Sequence, residues 1–287
     1  MAAPMNEIGI RQGRLSPASS GPVQRFPQAS WREEFHIARD CELHFIEWLF
    51  AADDYERNPV WSEQGLRQIR EMVDATGVAV RSLCADYFMA HPFVRVSDGQ
   101  RVEHAETLSE LIVRSSTAGI EVVVIPLLET GEVRNAEELG DVRAALAGAL
   151  DIAARLSVTV ALETDLPAAI ITAADVTPHP ALRVCYDTGN AAAKGFEVSA
   201  DLVRLGSHLS IVHLKDRDRS GTSVALGSGI ADLPAFFRTT AALSFRGPLV
   251  LETPRGADSL SSAKANVAFA HACAARLAPS AEGLSVR

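Results

Sequence analysis

The chain contains only four cysteines, Cys41, Cys84, Cys185 and Cys273, and no two of them form a CxxC pair. A disulfide framework or a cysteine-rich zinc site needs paired spacings, so buried, reduced thiols and a cytoplasmic location are expected. Positive charge is scarce as well. Lys and Arg number 27 against 36 Asp and Glu, and the resulting formal charge of -9 argues against a protein that holds nucleic acid by general electrostatics. No apolar run approaches the ~20 residues that cross a bilayer, so no membrane contact is expected. The opening MAAPMNEIGI lacks a basic flank followed by a long apolar core, so no signal peptide is expected either. Glycine loops for phosphate are missing too. GIRQGRLSP (9–17) does not have the GxGxxG spacing, and LGSGIAD (226–232) has no P-loop lysine.

What the chain does have is one theme repeated: a short β-branched or apolar run, a polar loop, then a helical stretch. The runs are EIGIRQG (7–13), HFIEWLF (44–50), VAVRSLCAD (78–86), EVVVIPLL (121–128), VTVALET (158–164), LRVCYDTG (182–189), LSIVHLKD (209–216) and PLVLETP (248–254). Several are almost continuously apolar, as strands of a parallel sheet covered on both faces should be. Between two of them, Leu139, Val142, Leu146, Leu150 and Ala153 recur at spacings of three and four and make one apolar stripe for lying on a sheet. Gly77 and Gly119 stand just ahead of strands, where glycines that end helices belong. Eight such units indicate an α/β protein, a (β/α)8 TIM barrel, in preference to an open doubly wound sheet. No linker divides the chain, so residues 1–287 read as a single barrel domain. Residues 14–30 read as a long first loop placed to cover the barrel mouth, and residues from about 278 to 287 as a flexible tail.

Four strands of the second half end in a group that can bind a metal: Glu163, Asp187, His213 and Glu252. Each follows an apolar run, at the level where the C-terminal face of a barrel begins and where such folds keep their active sites. A lone strand-end acid is usually a solvated residue or a helix cap, and a lone histidine is usually a hydrogen-bonded core residue. Four on four successive strands is a different matter. Three carboxylates converging at one mouth repel one another, and a divalent cation with a neutral imidazole resolves the repulsion. Three oxygen donors and one nitrogen favour Mn²⁺, with Mg²⁺, Co²⁺ or Zn²⁺ as alternatives.

At these residues the chain resembles the xylose-isomerase-like TIM-barrel superfamily, the sugar phosphate isomerase/epimerase group. The motifs are ALET at Glu163, YDTGN at Asp187, HLKD at His213 and LET at Glu252, in the superfamily's order, with GIRQGRLSP and FIEWLF resembling its first two strand ends. The resemblance implies a divalent-metal-dependent epimerase or isomerase of a small ketose or ketose phosphate, working as a homodimer or homotetramer. By similarity to the ketose 3-epimerases, Glu163 and Glu252 would be both metal ligands and the acid–base pair. One would remove the proton next to the substrate carbonyl to give a metal-held enediolate, and the other would return a proton to the opposite face. Arg219 matches an epimerase position that contacts substrate oxygens. Two departures put the free-ketose substrates in doubt: Ala169 stands where those enzymes have a second glutamate, and Asn190 where they have a histidine. Inosose-dehydratase-like lyase chemistry and a non-catalytic sugar-binding barrel are the competing readings. An apurinic-site nuclease would need more histidines near the mouth than the chain's total of eight supplies.

Other residues are placed at the mouth by their positions. Asn190 and Lys215 follow two of the metal-binding strand ends, Gln12 and Arg14 follow the first strand, and Glu47 ends the second; all five are substrate-binding candidates. Glu47 is a candidate partner for His213. Trp48 and Tyr87 read as packing or as apolar walls, Asp86 and His91 as structural or substrate-contact residues, and LGSGIAD as a source of backbone N–H groups for a ligand.

Overall fold

In the computed structural model, which describes residues 6–17, 24–173 and 179–275, all eight apolar runs become strands. They are β1 (Ile8–Arg11), β2 (Phe45–Leu49), β3 (Ala79–Cys84), β4 (Val122–Leu127), β5 (Thr159–Thr164), β6 (Leu182–Asp187), β7 (Leu209–Leu214) and, after a small hairpin of β8 (Asp216–Arg217) and β9 (Ser223–Val224), β10 (Leu249–Leu251). The eight pair in parallel and close in the order β1-β10-β7-β6-β5-β4-β3-β2, so the fold is the TIM barrel that the alternation predicts. The helices are α1 (Trp31–Asp40), α2 (Glu63–Thr76), α3 (Tyr87–Ala90), α4 (Asp98–Thr117), α5 (Ala136–Leu156), α6 (Ala168–Ala173), α7 (Thr188–Ala193), α8 (Val198–Leu205), α9 (Leu233–Ala242) and α10 (Ser259–Ala275).

Local chemistry sets these elements. The Asn135 side chain accepts from Glu138 N at 2.9 Å and starts α5, whose stripe Leu139, Val142, Leu146, Leu150 and Ala153 is buried against the barrel. Ser62 caps α2 in the same manner, and Gly77 ends it at φ 74, a conformation that glycine adopts without a Cβ penalty. No helix among the described residues is long and apolar enough to cross a membrane.

Strand alternation is what positions the site. Phe45, Cys84, Val124, Ala161, Cys185, Ile211 and Val250 belong to a buried cluster of their own inside the barrel, separate from the larger core between strands and helices. Side chains two residues on share the same face. The next inward row therefore holds Glu47, Asp86, Glu163, Asp187, His213 and Glu252, one step nearer the C-terminal mouth. On β1 the deeper inward position is Gly9, where a Cβ would lie 2.4 Å from the Phe45 ring, and the next is Arg11. Trp48 has the opposite parity. It packs outward against Phe26 and Trp31 and donates from Nε1 to Asn58 Oδ1 at 2.8 Å, so it is a packing residue and not a wall of the mouth.

The expected first loop, 14–30, is described only in part, since residues 18–23 lie outside the described residues, as does the expected tail. Its first turn is pinned by Glu34 of α1, which accepts from Gly13 N, Leu15 N, Ser16 N and Ser16 Oγ at 2.8–3.1 Å.

Candidate metal centre and cleft

Glu163 is the penultimate residue of β5, and Asp187 ends β6. Asp187 Oδ1 accepts from Asn190 N at 2.8 Å and so caps α7, which leaves Oδ2 facing the barrel axis. On β7, His213 Nε2 lies 3.2 Å from Glu47 Oε2, and Glu47 Oε1 accepts from Ser82 Oγ at 2.9 Å. A carboxylate behind one ring nitrogen fixes the tautomer and turns the other nitrogen outward as a lone pair. That nitrogen, Nδ1, is 3.2 Å from Glu252 Oε2 and 3.4 Å from Glu163 Oε2.

Four atoms thus point at one another: Glu163 Oε2, Asp187 Oδ2, His213 Nδ1 and Glu252 Oε2. Each is buried and without a hydrogen-bond partner. The four residues each offer a donor atom within 4.8 Å of the other three. Buried polar atoms are seldom left unsatisfied, and four unsatisfied acceptors in one place call for a positive charge. The donor set fits a divalent cation with oxygen and imidazole ligands.

Charge around the centre is uneven. Glu252 Oε1 meets three cations, Lys215 Nζ at 2.9 Å, Arg11 Nη1 at 3.1 Å and Arg14 Nη2 at 3.5 Å. Burial alone would raise the Glu252 carboxyl, but Lys215, Arg11 and His213 outweigh it and hold it well below the usual carboxylate range. Among the described residues, Glu163 Oε1 has only the Asn190 amide, at 3.4 Å. Burial pushes Asp187 up to about 6, against the pull of Lys215, whose Nζ lies 3.4 Å from its Oδ2. Burial also works against a charged imidazole at His213, yet Cys185, Glu47 and Glu163 outweigh it and raise the group well above its ordinary value.

Beneath the four, Cys185 forms a second set of donors with Glu163 and His213, also within 4.8 Å of one another. Burial pushes the Cys185 thiol up to about 12, against the pull of His213. Above them opens a cavity of about 330 Å³, lined by Arg11, Asp86, Glu163, Lys215 and Glu252 at its floor and by Gln24, Glu132, Asp165, Asn190, Lys194 and Arg217 higher up. The Asn190 amide oxygen accepts from Arg217 Nε at 3.1 Å and Nη2 at 2.8 Å, which fixes the amide across the opening.

The other candidates separate into those the cleft exposes and those it does not. Asn190 and Lys215 line it. Glu47 is fully buried behind His213, and Gln12 accepts from Leu49 N at 3.1 Å, so both act on strands and ligands and not at the opening. Arg14 sits behind Glu252. Arg219 is exposed in the turn of the β8–β9 hairpin, and it is Arg217, two residues earlier, that reaches the cleft. Asp86, six per cent exposed, is held by Arg11 Nη2 at 2.5 Å. His91 stacks on Tyr87, with ring centroids 4.0 Å apart. Arg11 went unnoticed in the sequence, although inward parity with Gly9 marks it.

The glycine-rich stretch 226–232 differs from the expectation. Its N–H groups at Gly227, Gly229 and Ala231 donate to the Asp216 carboxylate at 2.8–3.0 Å, so they hold the base of the hairpin and not a ligand. Asp216→Ala leaves those three donors unpaired and is expected to lower stability by about 2 kcal/mol. An unchanged urea midpoint would show that the cradle contributes nothing.

A family model described as a xylose isomerase-like TIM barrel matches residues 35–273. A protein from Escherichia coli named L-ribulose-5-phosphate 3-epimerase UlaE is 27% identical over 233 residues, which cover 77% of this chain and 81% of that one. A Salmonella typhi protein of the same name is 25% identical over 232 residues, with the same coverage. Among solved structures, an L-ribulose 3-epimerase superposes with a TM-score of 0.75 at 20% identity over 99% of both chains. D-allulose 3-epimerase from Methylomonas sp. gives 0.74 at 17% identity over 95% of this chain and 100% of that one. Likeness at these identities is likeness of fold.

Proposed function

The chain belongs to the xylose isomerase-like TIM barrel family, and on that premise we propose that it is an epimerase of a small ketose or ketose phosphate, dependent on a divalent cation held by Glu163, Asp187, His213 and Glu252. The observation that carries this reading is the convergence of four buried, unpartnered donor atoms, two of them from glutamates, at the floor of an open cleft. The names of the similar 3-epimerases support the reaction class. Three oxygens and one imidazole nitrogen suit Mn²⁺, and Mg²⁺, Co²⁺ and Zn²⁺ fit the same set less selectively.

A bound cation would polarise the substrate carbonyl and acidify the neighbouring C–H. The chain's own groups do the rest. Glu163 and Glu252 stand on strands separated by β6 and β7 in the barrel, so they approach a substrate from different sides. One, ionised, takes the proton from the carbon beside the carbonyl, the substrate becomes an enediolate, and the other, having taken a proton from solvent, gives it to the opposite face. Glu252 is held anionic chiefly by Lys215 and Arg11, while Glu163 Oε1 accepts from the Asn190 amide. Glu47 keeps His213 oriented as a ligand, and Asn190 and Arg217 are placed to receive substrate hydroxyls.

Proton NMR in D₂O, with Mg²⁺-loaded protein and a panel of ketoses and ketose phosphates, tests the proposal. Loss of the carbon-bound proton beside a carbonyl, with new stereoisomer signals, is the expected result. A deoxy or enone product would replace epimerisation with lyase chemistry, and no exchange with any member of the panel would count against enediolate chemistry altogether.

A further inference from the structure

We propose that Cys185 provides a second cation position, Glu163–Cys185–His213, one layer deeper than the first, which takes thiophilic ions such as Zn²⁺ or Cd²⁺ and excludes the ion above it. The inference rests on the reading of Glu163 and His213 as cation donors. It concerns a residue that this reading does not use.

The geometry follows from strand alternation. Cys185 lies on β6 two residues before Asp187, so its side chain points to the same inward face one step further from the mouth. It pairs in register with Glu163 of β5, and Asp187 pairs with His213 of β7. The thiol therefore sits level with Glu163 and one inward step deeper than His213. It is 2% exposed, and its set with Glu163 and His213, like the four-residue set, has its donor atoms within 4.8 Å of one another. Glu163 and His213, the two residues common to both sets, each keep a buried atom, Oε2 and Nδ1, that makes no hydrogen bond.

The two positions differ in chemistry. The upper one offers three carboxylates and an imidazole and suits Mn²⁺ or Mg²⁺. The lower one replaces two carboxylates with a thiolate, a soft ligand for which Zn²⁺ and Cd²⁺ compete far better than Mn²⁺. Binding there forms a metal–sulfur bond as the thiol proton leaves to solvent; no electrons change hands. Two shared ligands make occupation mutually exclusive. An ion in the lower position also engages Glu163, so the thiophilic metal inhibits by displacement.

Cadmium titration of the full-length protein, metal-free for the absorption band and Mn²⁺-loaded for the release, tests this without an activity measurement. One equivalent of Cd²⁺ is expected to give a thiolate-to-metal absorption band in the ultraviolet and to release preloaded Mn²⁺ one for one, read as the free-ion EPR signal. The band should vanish in Cys185→Ser and persist in Cys84→Ser, whose thiol lies in the same inner layer but outside the set. Cadmium NMR of the wild type is a second readout that needs no variant, with a shift expected for one sulfur among oxygen and nitrogen ligands. Cadmium bound without the band, or a band that survives Cys185→Ser, overturns the proposal and leaves the four-residue centre standing. Failure to bind either Cd²⁺ or Mn²⁺ overturns both.

Discussion

Glu163→Gln and Glu252→Gln are each expected to stop interconversion of the two epimers, with kcat reduced about 10²–10⁴-fold, the usual contribution of a positioned acid–base group. An amide can still offer an oxygen to a cation but cannot carry the proton, so the two variants should keep a bound metal. Their patterns of exchange with solvent should differ. If the two glutamates serve opposite faces of the substrate, Glu163→Gln still exchanges the carbon-bound proton of the epimer that faces Glu252, without converting it. Glu252→Gln exchanges only the other epimer. Deuterium incorporation, followed separately for each epimer, therefore assigns each base to a face. Loss of exchange in both epimers on removing one glutamate would mean a single base, and the two-sided account would fail.

Arg11→Met is expected to cost about 3–5 kcal/mol of folding stability, measured as a fall in the urea midpoint at unchanged slope. Arg11 bridges two buried carboxylates, Asp86 at 2.5 Å and Glu252 at 3.1 Å, with side chains 5–6% exposed. Burial disfavours its charge, yet Asp86, Cys84, Glu252 and Glu47 outweigh that and hold the guanidinium well above its ordinary range. Removing one member of such a cluster strands the charges that remain. Glu252 keeps Lys215 and Arg14, whereas Asp86 loses the cation nearest to it. Asp86→Asn in the same chain should therefore recover part of the loss, a coupling that a double-mutant cycle reads directly. Additive effects would show that Arg11 and Asp86 do not stabilise one another.

These expectations rest on features that differ in how plainly the sequence displays them. The barrel was legible because each strand is an apolar run bounded by polar loops, and all eight strands lie within the quoted runs. The four donors were legible for a related reason: each is a polar residue closing such a run. Arg11 was harder, since the first run is short and polar at its end; only its parity with Gly9 places it inward. Arg219 was named by similarity to an epimerase position; Arg217 was not singled out, because the hairpin that brings it to the cleft depends on Asp216 gathering N–H groups from a segment more than ten residues away. Long-range pairing of that kind leaves no local pattern. Trp48 read as packing or as a wall because it follows Glu47, and the opposite facing of adjacent strand residues decides for packing.

Anomalous scattering from crystals equilibrated with Mn²⁺ tests the central claim most directly. One peak is expected within bonding distance of Glu163, Asp187, His213 and Glu252 together. Absence of a peak there, or a peak on the cleft wall away from those four, would contradict the account.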